Sequence, residues 1–325
     1  MIIGCGNGDK PDVSKIKVDI KLERFDKAFF SIDTNNIPAE IVRLRSEFPH
    51  FTDDFIDYIL GLGGVKEESE VKENGIRIFH STYLAVQDSI EKRINNTGKI
   101  EENLETALRY VKYYFPRYEI PRIVLYTGPF DAPGVALTRE AIAIGLQQHA
   151  GPSFFFYNTL QGQELYPAYI SRRFDAAYIP TNVVKAIIDD IYPDNSRTLA
   201  LIDQMIQKGK QLYLLDLILP DTPDSIKTGY TEAQLKWCKS NEGAIWNYIL
   251  KTADLYSFDP GDIKNILGEA PTTDGMPPIA PGNIGQWVGR QIVRKYIEAN
   301  PALTPDELMK TEPRSIFNSI KYKPK

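Results

Sequence analysis

Three kinds of residue in this chain have the types and spacing to carry chemistry: a cysteine near the amino end, three histidines, and acids in close pairs. Ile2-Ile3-Gly4-Cys5-Gly6 has the pattern of a bacterial lipobox, where small and branched residues precede a cysteine that is cleaved and acylated. Cys5 is therefore the expected lipidation site, with Met1 falling inside a secretory leader whose charged segment and most of its apolar segment lie upstream. Three acyl chains hold firmly, because each buried methylene contributes ~0.8 kcal/mol while one myristoyl chain binds only reversibly. His50, His80 and His149 lie in three separate segments, none with a second imidazole within helical reach. A His-Glu-x-x-His zinc helix needs two imidazoles one turn apart and an acid that reaches the metal-bound water. This chain cannot make that helix, and no metal or cofactor is expected.

Other catalytic patterns are equally hard to assemble. The chain has no Gly-x-Ser-x-Gly elbow, no Gly-x-x-x-x-Gly-Lys phosphate loop and no Cys-x-x-Cys pair. Asp53 and Asp57 are helical neighbours that could share a cation, yet acids in a first turn ordinarily complement the helix dipole. Nothing selects Asp189 with Asp190, or Asp221 with Asp224, as a glycosidase pair. The expectation is a protein that is not an enzyme.

Composition bounds the rest. With 42% apolar and 25% charged residues over 325, the chain can bury a full core. A formal charge of -5 without a concentrated basic face argues against a nucleic-acid partner. No run of about 18 apolar residues occurs, so membrane contact is expected through the lipid on Cys5 alone. Cys238, the only other cysteine, is expected as a small buried helix residue beside Trp237. No disulfide supports the fold.

The elements that must position these residues follow from periodicity and punctuation. Residues 1–15 are expected as lipobox remnant and flexible tether, and 16–325 as a single α+β domain. Ile16, Val18, Ile20 and Leu22 alternate with charged residues and predict a half-buried strand. Asn36-Ile37-Pro38 opens a helix to about Phe48, Thr52 caps the next, and Gly61-Leu62-Gly63-Gly64 ends it. Amphipathic helices are predicted over 76–95 and 100–115. Short apolar runs at 123–127, 134–138 and 141–146 predict a small central sheet. Beyond Thr181 the chain reads as helices over 182–191, 198–219, 231–252, 260–267, 284–299 and 304–310.

A small sheet followed by a stack of helices resembles the zincin-type peptidases, here in a degenerate form lacking the metal motif. The helix where that motif would follow the sheet reads Thr181-Asn182-Val183-Val184-Lys185-Ala186-Ile187-Ile188-Asp189-Asp190 and holds no ligand pair. Where those peptidases place a glutamate before a glycine, Met205-Ile206-Gln207-Lys208-Gly209-Lys210 offers Lys208. A cation cannot ligate zinc, and if buried its ammonium would partly replace the metal's charge; the plainer reading is a solvated lysine on an amphipathic helix.

The C-terminal third is more specific. Asp221-Thr222-Pro223-Asp224, Gly229-Tyr230-Thr231-Glu232-Ala233-Gln234-Leu235-Lys236-Trp237, Asn241-Glu242, Trp246 and Asp259-Pro260 lead to Pro281-Gly282-Asn283-Ile284-Gly285-Gln286-Trp287-Val288-Gly289-Arg290-Gln291-Ile292-Val293, then Leu308-Met309 and Tyr322-Lys323-Pro324. This succession resembles the gliding-motility-associated lipoprotein family GldB of gram-negative bacteria, from the lipobox to the end. The resemblance implies an envelope lipoprotein needed for gliding and associated protein export, lipid-anchored and facing the periplasm, with protein partners in that machinery and no established enzymatic activity. The expected role is a non-catalytic interaction or scaffold component. The alternatives are a glycan- or peptide-binding surface lipoprotein, which would expose Trp237, Trp246 and Trp287, and a cryptic hydrolase. Gly285 and Gly289, four apart, each cost about 1 kcal/mol relative to alanine in a helix, so a close helix crossing must compensate. Arg290 on an otherwise apolar helix should pair with an acid, Glu242 being the expected partner, or face a cleft. Arg290, Lys208, Glu242 and Trp287 are the candidate partner-binding residues.

Overall fold

The structure, a computed structural model, describes residues 10–64 and 70–324, so Cys5 and its lipobox lie outside the described residues. The chain is mainly helical with one small sheet among the described residues, an α+β fold. Strands β1 (Leu22–Arg24), β2 (Arg122–Tyr126), β3 (Val135–Leu137) and β4 (Ala141–Gly145) form one sheet in the order β1-β2-β4-β3. The predicted runs at 123, 134 and 141 are these last three strands. β1 and β4 both run parallel to β2, and β3 returns antiparallel on β4. The central strands β2 and β4 are almost wholly buried, which is why they read as continuous apolar runs and not as alternations.

The strand expected from Ile16 onward is corrected. Its alternation does appear in the burial of Ile20 and Leu22 against exposed Lys21, but β2 supplies pairing partners only from Leu22. Alternation encodes which face is wet and says nothing about where a partner strand begins.

Helices in chain order are α1 (Phe25–Phe30), α2 (Ile37–Glu47), α3 (Phe51–Asp54), α4 (Glu70–Arg93), α5 (Gly98–Tyr114), α6 (Leu160–Leu165), α7 (Ala168–Ser171), α8 (Ile179–Ile191), α9 (Leu201–Ile218), α10 (Asp224–Thr228), α11 (Glu232–Ser240), α12 (Glu242–Thr252), α13 (Pro260–Leu267), α14 (Ile284–Ala299), α15 (Pro305–Lys310) and α16 (Pro313–Ser319). Pro38 sits in the first turn of α2, as expected. Thr52 does not cap α3: it lies inside the helix and its hydroxyl donates to the Phe48 carbonyl at 2.8 Å. The capping acceptor is distant in sequence, the Glu140 carboxylate, which takes the His50 and Phe51 amides at 3.0 and 2.8 Å. The helix expected over 231–252 is two, broken at Asn241, whose side-chain amide donates to the Trp237 carbonyl at 2.8 Å and so closes α11.

By internal contacts the chain divides into two compact units. The sheet unit, Val18–Thr106 with Glu119–Ala186, is built on aromatic packing. Phe25 lies edge-on to Phe51 and Phe55 with centroids 4.8 and 4.9 Å away, and Phe55 stands 6.0 Å from Tyr126 of β2. The helical unit comprises the described parts of 1–17, Ala107–Tyr118 and the chain from Ile187 onward. Its core joins Leu201, Ile202, Met205 and Ile206 of α9 to Ile284, Trp287, Val288 and Ile292 of α14, with Ile245, Trp246 and Ile249 of α12 beside them.

Candidate functional site

The helical unit is organised by a glycine contact between α9 and α14. A Cβ added at Gly289 would fall 1.8 Å from the Met205 carbonyl oxygen, and one at Gly209 would fall 2.2 Å from the Gly289 carbonyl carbon. The two backbones touch where side chains are missing, which is the close crossing that the Gly285/Gly289 spacing predicts. Gly285 faces α13 instead, where a Cβ would meet the Ile266 side chain at 2.7 Å.

That approach carries Arg290 into the interior, where it is 1% exposed. It does not pair with Glu242. Its Nε donates to Asp216 of α9 at 2.8 Å and its Nη2 donates to both Asp216 and Asp224 of α10, the latter at 2.7 Å. Lys227 reaches Asp216 at 3.0 Å, and Arg294 donates to Asp216 at 2.8 Å. Burial alone would raise the Asp224 carboxyl, but the Arg290 hydrogen bond and charge, with Lys227 and Arg294, outweigh it and bring it down to about 2. Two acids and three cations thus join α9, α10 and α14. Glu242 instead accepts from the Tyr322 hydroxyl at 2.7 Å, fastening the C-terminal segment to α12.

Trp287 is 1% exposed and packs in the α9/α14 core; Trp246 is 6% exposed and Trp237 is partly buried. Of the four sequence-nominated residues, Lys208 lines a cleft. This depression of ≈ 610 Å³ is lined by Lys208, Arg197 and Lys264, by Asp189 and Asp194, and by Phe258, Ile263 and Leu267. Lys208 is half exposed and pairs with Asp194 at 2.6 Å, the solvated reading of that lysine. Phe258 stands 66% exposed at the rim. Three cations, two acids and a projecting phenyl ring thus line a depression of mixed charge with an exposed apolar rim.

The buried lysine of that stretch is Lys210, two residues on. It donates to the Met309 and Thr311 carbonyls, both at 3.0 Å, closing the end of α15, and burial lowers its ammonium to about 8 against the raising effect of Glu312 and Asp194. Sequence reasoning does not reach Lys210, Asp216 or Lys227. A signal existed for Asp216: it is the only charge in Leu212–Leu219, the same oddity that drew attention to Arg290.

In the sheet unit, His149 is 1% exposed. Its Nδ1 contacts the Gly145 carbonyl at 2.8 Å and its Nε2 the Asn182 side-chain amide at 3.2 Å, an arrangement satisfied by a neutral ring. Burial lowers it to about 4, more than the Gly145 bond and Asp175 raise it. Asn182, on α8, thus serves a packed histidine. Burial pushes the Cys238 thiol up to about 12, the opposite of an activated nucleophile. Asp53 pairs with Arg45 at 2.7 Å and Asp57 with Lys72 at 2.8 Å. Among the described residues no three His, Cys, Asp or Glu side chains gather as metal ligands, and no helix is long and apolar enough to cross a membrane.

No curated protein and no solved structure matches the chain. A family model described as "Gliding motility protein GldB" matches residues 6–324, which takes in the α9/α14 crossing, the Arg290 network and the Lys208 cleft. The chain belongs to that family of gliding motility lipoproteins.

Proposed function

We propose that this protein is a non-catalytic, lipid-anchored component of the envelope apparatus for gliding and associated protein secretion, with Cys5 acylated and the folded body facing the periplasm to hold protein partners. The observation that carries the reading is the family match over residues 6–324. The chemistry of the interior supports it: three perturbed titratable groups, Arg290, Asp224 and His149, are committed to partners within the fold. Lys208 and its cleft are the partner-facing candidates, while Trp287, Arg290 and Glu242 act from behind by fixing α12 and α14. Burial of Trp246 and Trp287 favours this reading over a glycan-binding surface, which would present them.

Metabolic labelling with an alkyne palmitate, combined with colony spreading, tests the proposal. Wild type should label and enter the detergent phase; Cys5→Ala should do neither, and cells carrying it should fail to spread. Equal labelling of the two chains would remove the lipid assignment. Normal spreading by unlabelled Cys5→Ala cells would remove the need for an anchor.

A further inference from the structure

Strand β3 is one of the two edge strands of the sheet, β1 being the other. On its inner side, the Gly145 amide donates to the Gly134 carbonyl and the Thr138 amide to the Ala141 carbonyl, both at 2.9 Å, with Ala136 opposite Ala143 between them. Antiparallel alternation therefore turns the N–H and C=O of Val135 and Leu137 away from β4, toward the edge. An uncovered edge of this kind is a template for another extended chain.

Beside the edge lies a hollow of ≈ 480 Å³ whose wall includes Asp54, Tyr58, Asp131, Ala136, Leu137 and Arg139. Tyr58 is 81% exposed and Leu137 37%, so the rim is apolar and reachable. One oxygen of the Asp54 carboxylate is shut off from solvent with no hydrogen-bond partner. That oxygen is closed to the hollow as it stands, so a cationic N–H group reaches it only when the carboxylate turns outward, a turn that would also relieve an unfavourable unpaired acceptor. Asp131 adds a second acid and Arg139 one cation, leaving the lining net negative by a single charge.

We propose that β3 and this hollow bind an extended segment of a partner protein, its backbone adding a strand to β3 and one lysine or arginine side chain entering toward Asp54 and Asp131. Main-chain bonds to Val135 and Leu137 supply sequence-independent affinity, and the hollow selects one side chain. The Tyr58 ring can cover the aliphatic stem of that side chain. Arg139 repels a second cation, so the occupant is a strand with one basic residue rather than a polybasic run. The inference goes beyond the envelope role and does not depend on it, because binding is read on the isolated protein and gliding is read in cells.

The test is a titration of the isotope-labelled full chain with acetylated, amidated Thr-Val-Lys-Val-Thr, with the same peptide carrying Glu for Lys, and with a version N-methylated at alternate residues. With the lysine peptide the Val135 and Leu137 amide signals should shift and their hydrogen exchange should slow. The glutamate peptide and Asp54→Asn should each weaken binding about tenfold or more, and N-methylation should abolish it. Equal affinity for the lysine and glutamate peptides, unmoved Val135 and Leu137 amides, or undiminished binding of the N-methylated peptide would each overturn the proposal. So would a dimer formed through β3 without peptide, which would make the occupant a second copy. Should Asp54→Asn not fold, the comparison of peptides on the wild-type chain decides alone.

Discussion

Where α9 meets α14, polar groups are kept in the interior by formal charge, two acids against three cations, whereas at the ends of β2 and β4 a comparable degree of burial is managed with neutral groups. There the Gln147 side chain accepts from the Gly128 amide at 3.1 Å, the Tyr157 hydroxyl donates to the Gln147 carbonyl, and His149 bonds Gly145 and Asn182. The difference follows from what each region can supply. Helices bring long charged side chains together from several directions, and Arg294, about a third exposed, connects the network to water. The strand ends offer mainly backbone carbonyls and amides, which satisfy neutral donors and acceptors, and the Asp175 charge that would favour a cationic His149 is outweighed by burial. Charge in one place and neutrality in the other should therefore fail in different ways when disturbed.

The largest effect is expected at the glycine contact that brings the charges together. In Gly289→Leu the new side chain meets the backbone of α9 at Met205, which cannot swing aside as a side chain would. The loss should exceed the about 1–3 kcal/mol of ordinary overpacking, with α9 and α14 losing protection together. Urea unfolding and amide exchange read it, and a stability within about 1 kcal/mol of wild type would mean that this crossing does not organise the helical unit.

Next is Arg290→Ala. Removing one partner of a buried ion pair typically costs 3–5 kcal/mol, because the charge left behind is unpaired. Here Arg294 and Lys227 still reach Asp216, so a loss of about 3 kcal/mol is expected, the low end of that range. Joint replacement of Arg290 and Asp216 by Met and Leu should recover much of the loss. If Arg290→Ala melts like wild type, charge is not what secures this region and the contrast with the strand ends disappears.

These two sites also show how far the sequence can be read. Gly285 and Gly289, four apart in an apolar helix, announce a close approach through the conformational penalty each carries, and both make one, Gly289 against α9 and Gly285 against α13. Neither residue says what lies opposite, and Gly209 is 80 positions away. Arg290 likewise announces that it needs an acid. Its actual partners, Asp216 and Asp224, are 74 and 66 residues distant, and choosing them over nearby Glu242 requires knowing how α9, α10 and α14 assemble. The sheet was legible because β2 and β4 are continuous apolar runs; the extent of β1 was not, because pairing is a property of two segments. Lys208 was legible as a cation near a glycine, but its cleft is composed of residues from 189 to 268 that share no local pattern.

The smallest expected effect is an acid response specific to the sheet unit. His149 has an ordinary value near 6.5 that burial lowers to about 4, so its neutral form is the one the fold favours. Its stability contribution is then fully present above pH 6.5, and it declines as pH falls toward 4, where the unfolded chain binds a proton the folded chain still refuses. By pH 5 the loss should be about 2 kcal/mol, following from the separation of the two values. Asp224 is lowered in the opposite chemical class, from 3.8 to about 2, so its contribution is intact at pH 5 and fades only below about pH 4. Between pH 6.5 and 5 the strand ends should therefore weaken while the Arg290 network holds, visible as faster exchange of the Gly145 and His149 amides with α9 and α14 unchanged. A His149→Gln chain keeps one donor and one acceptor but cannot titrate in this range, and its stability should be flat over the same interval. An NMR titration placing His149 near 6.5 would show that its surroundings tolerate the charged ring, and neutrality would then not be the device that holds the strand ends together.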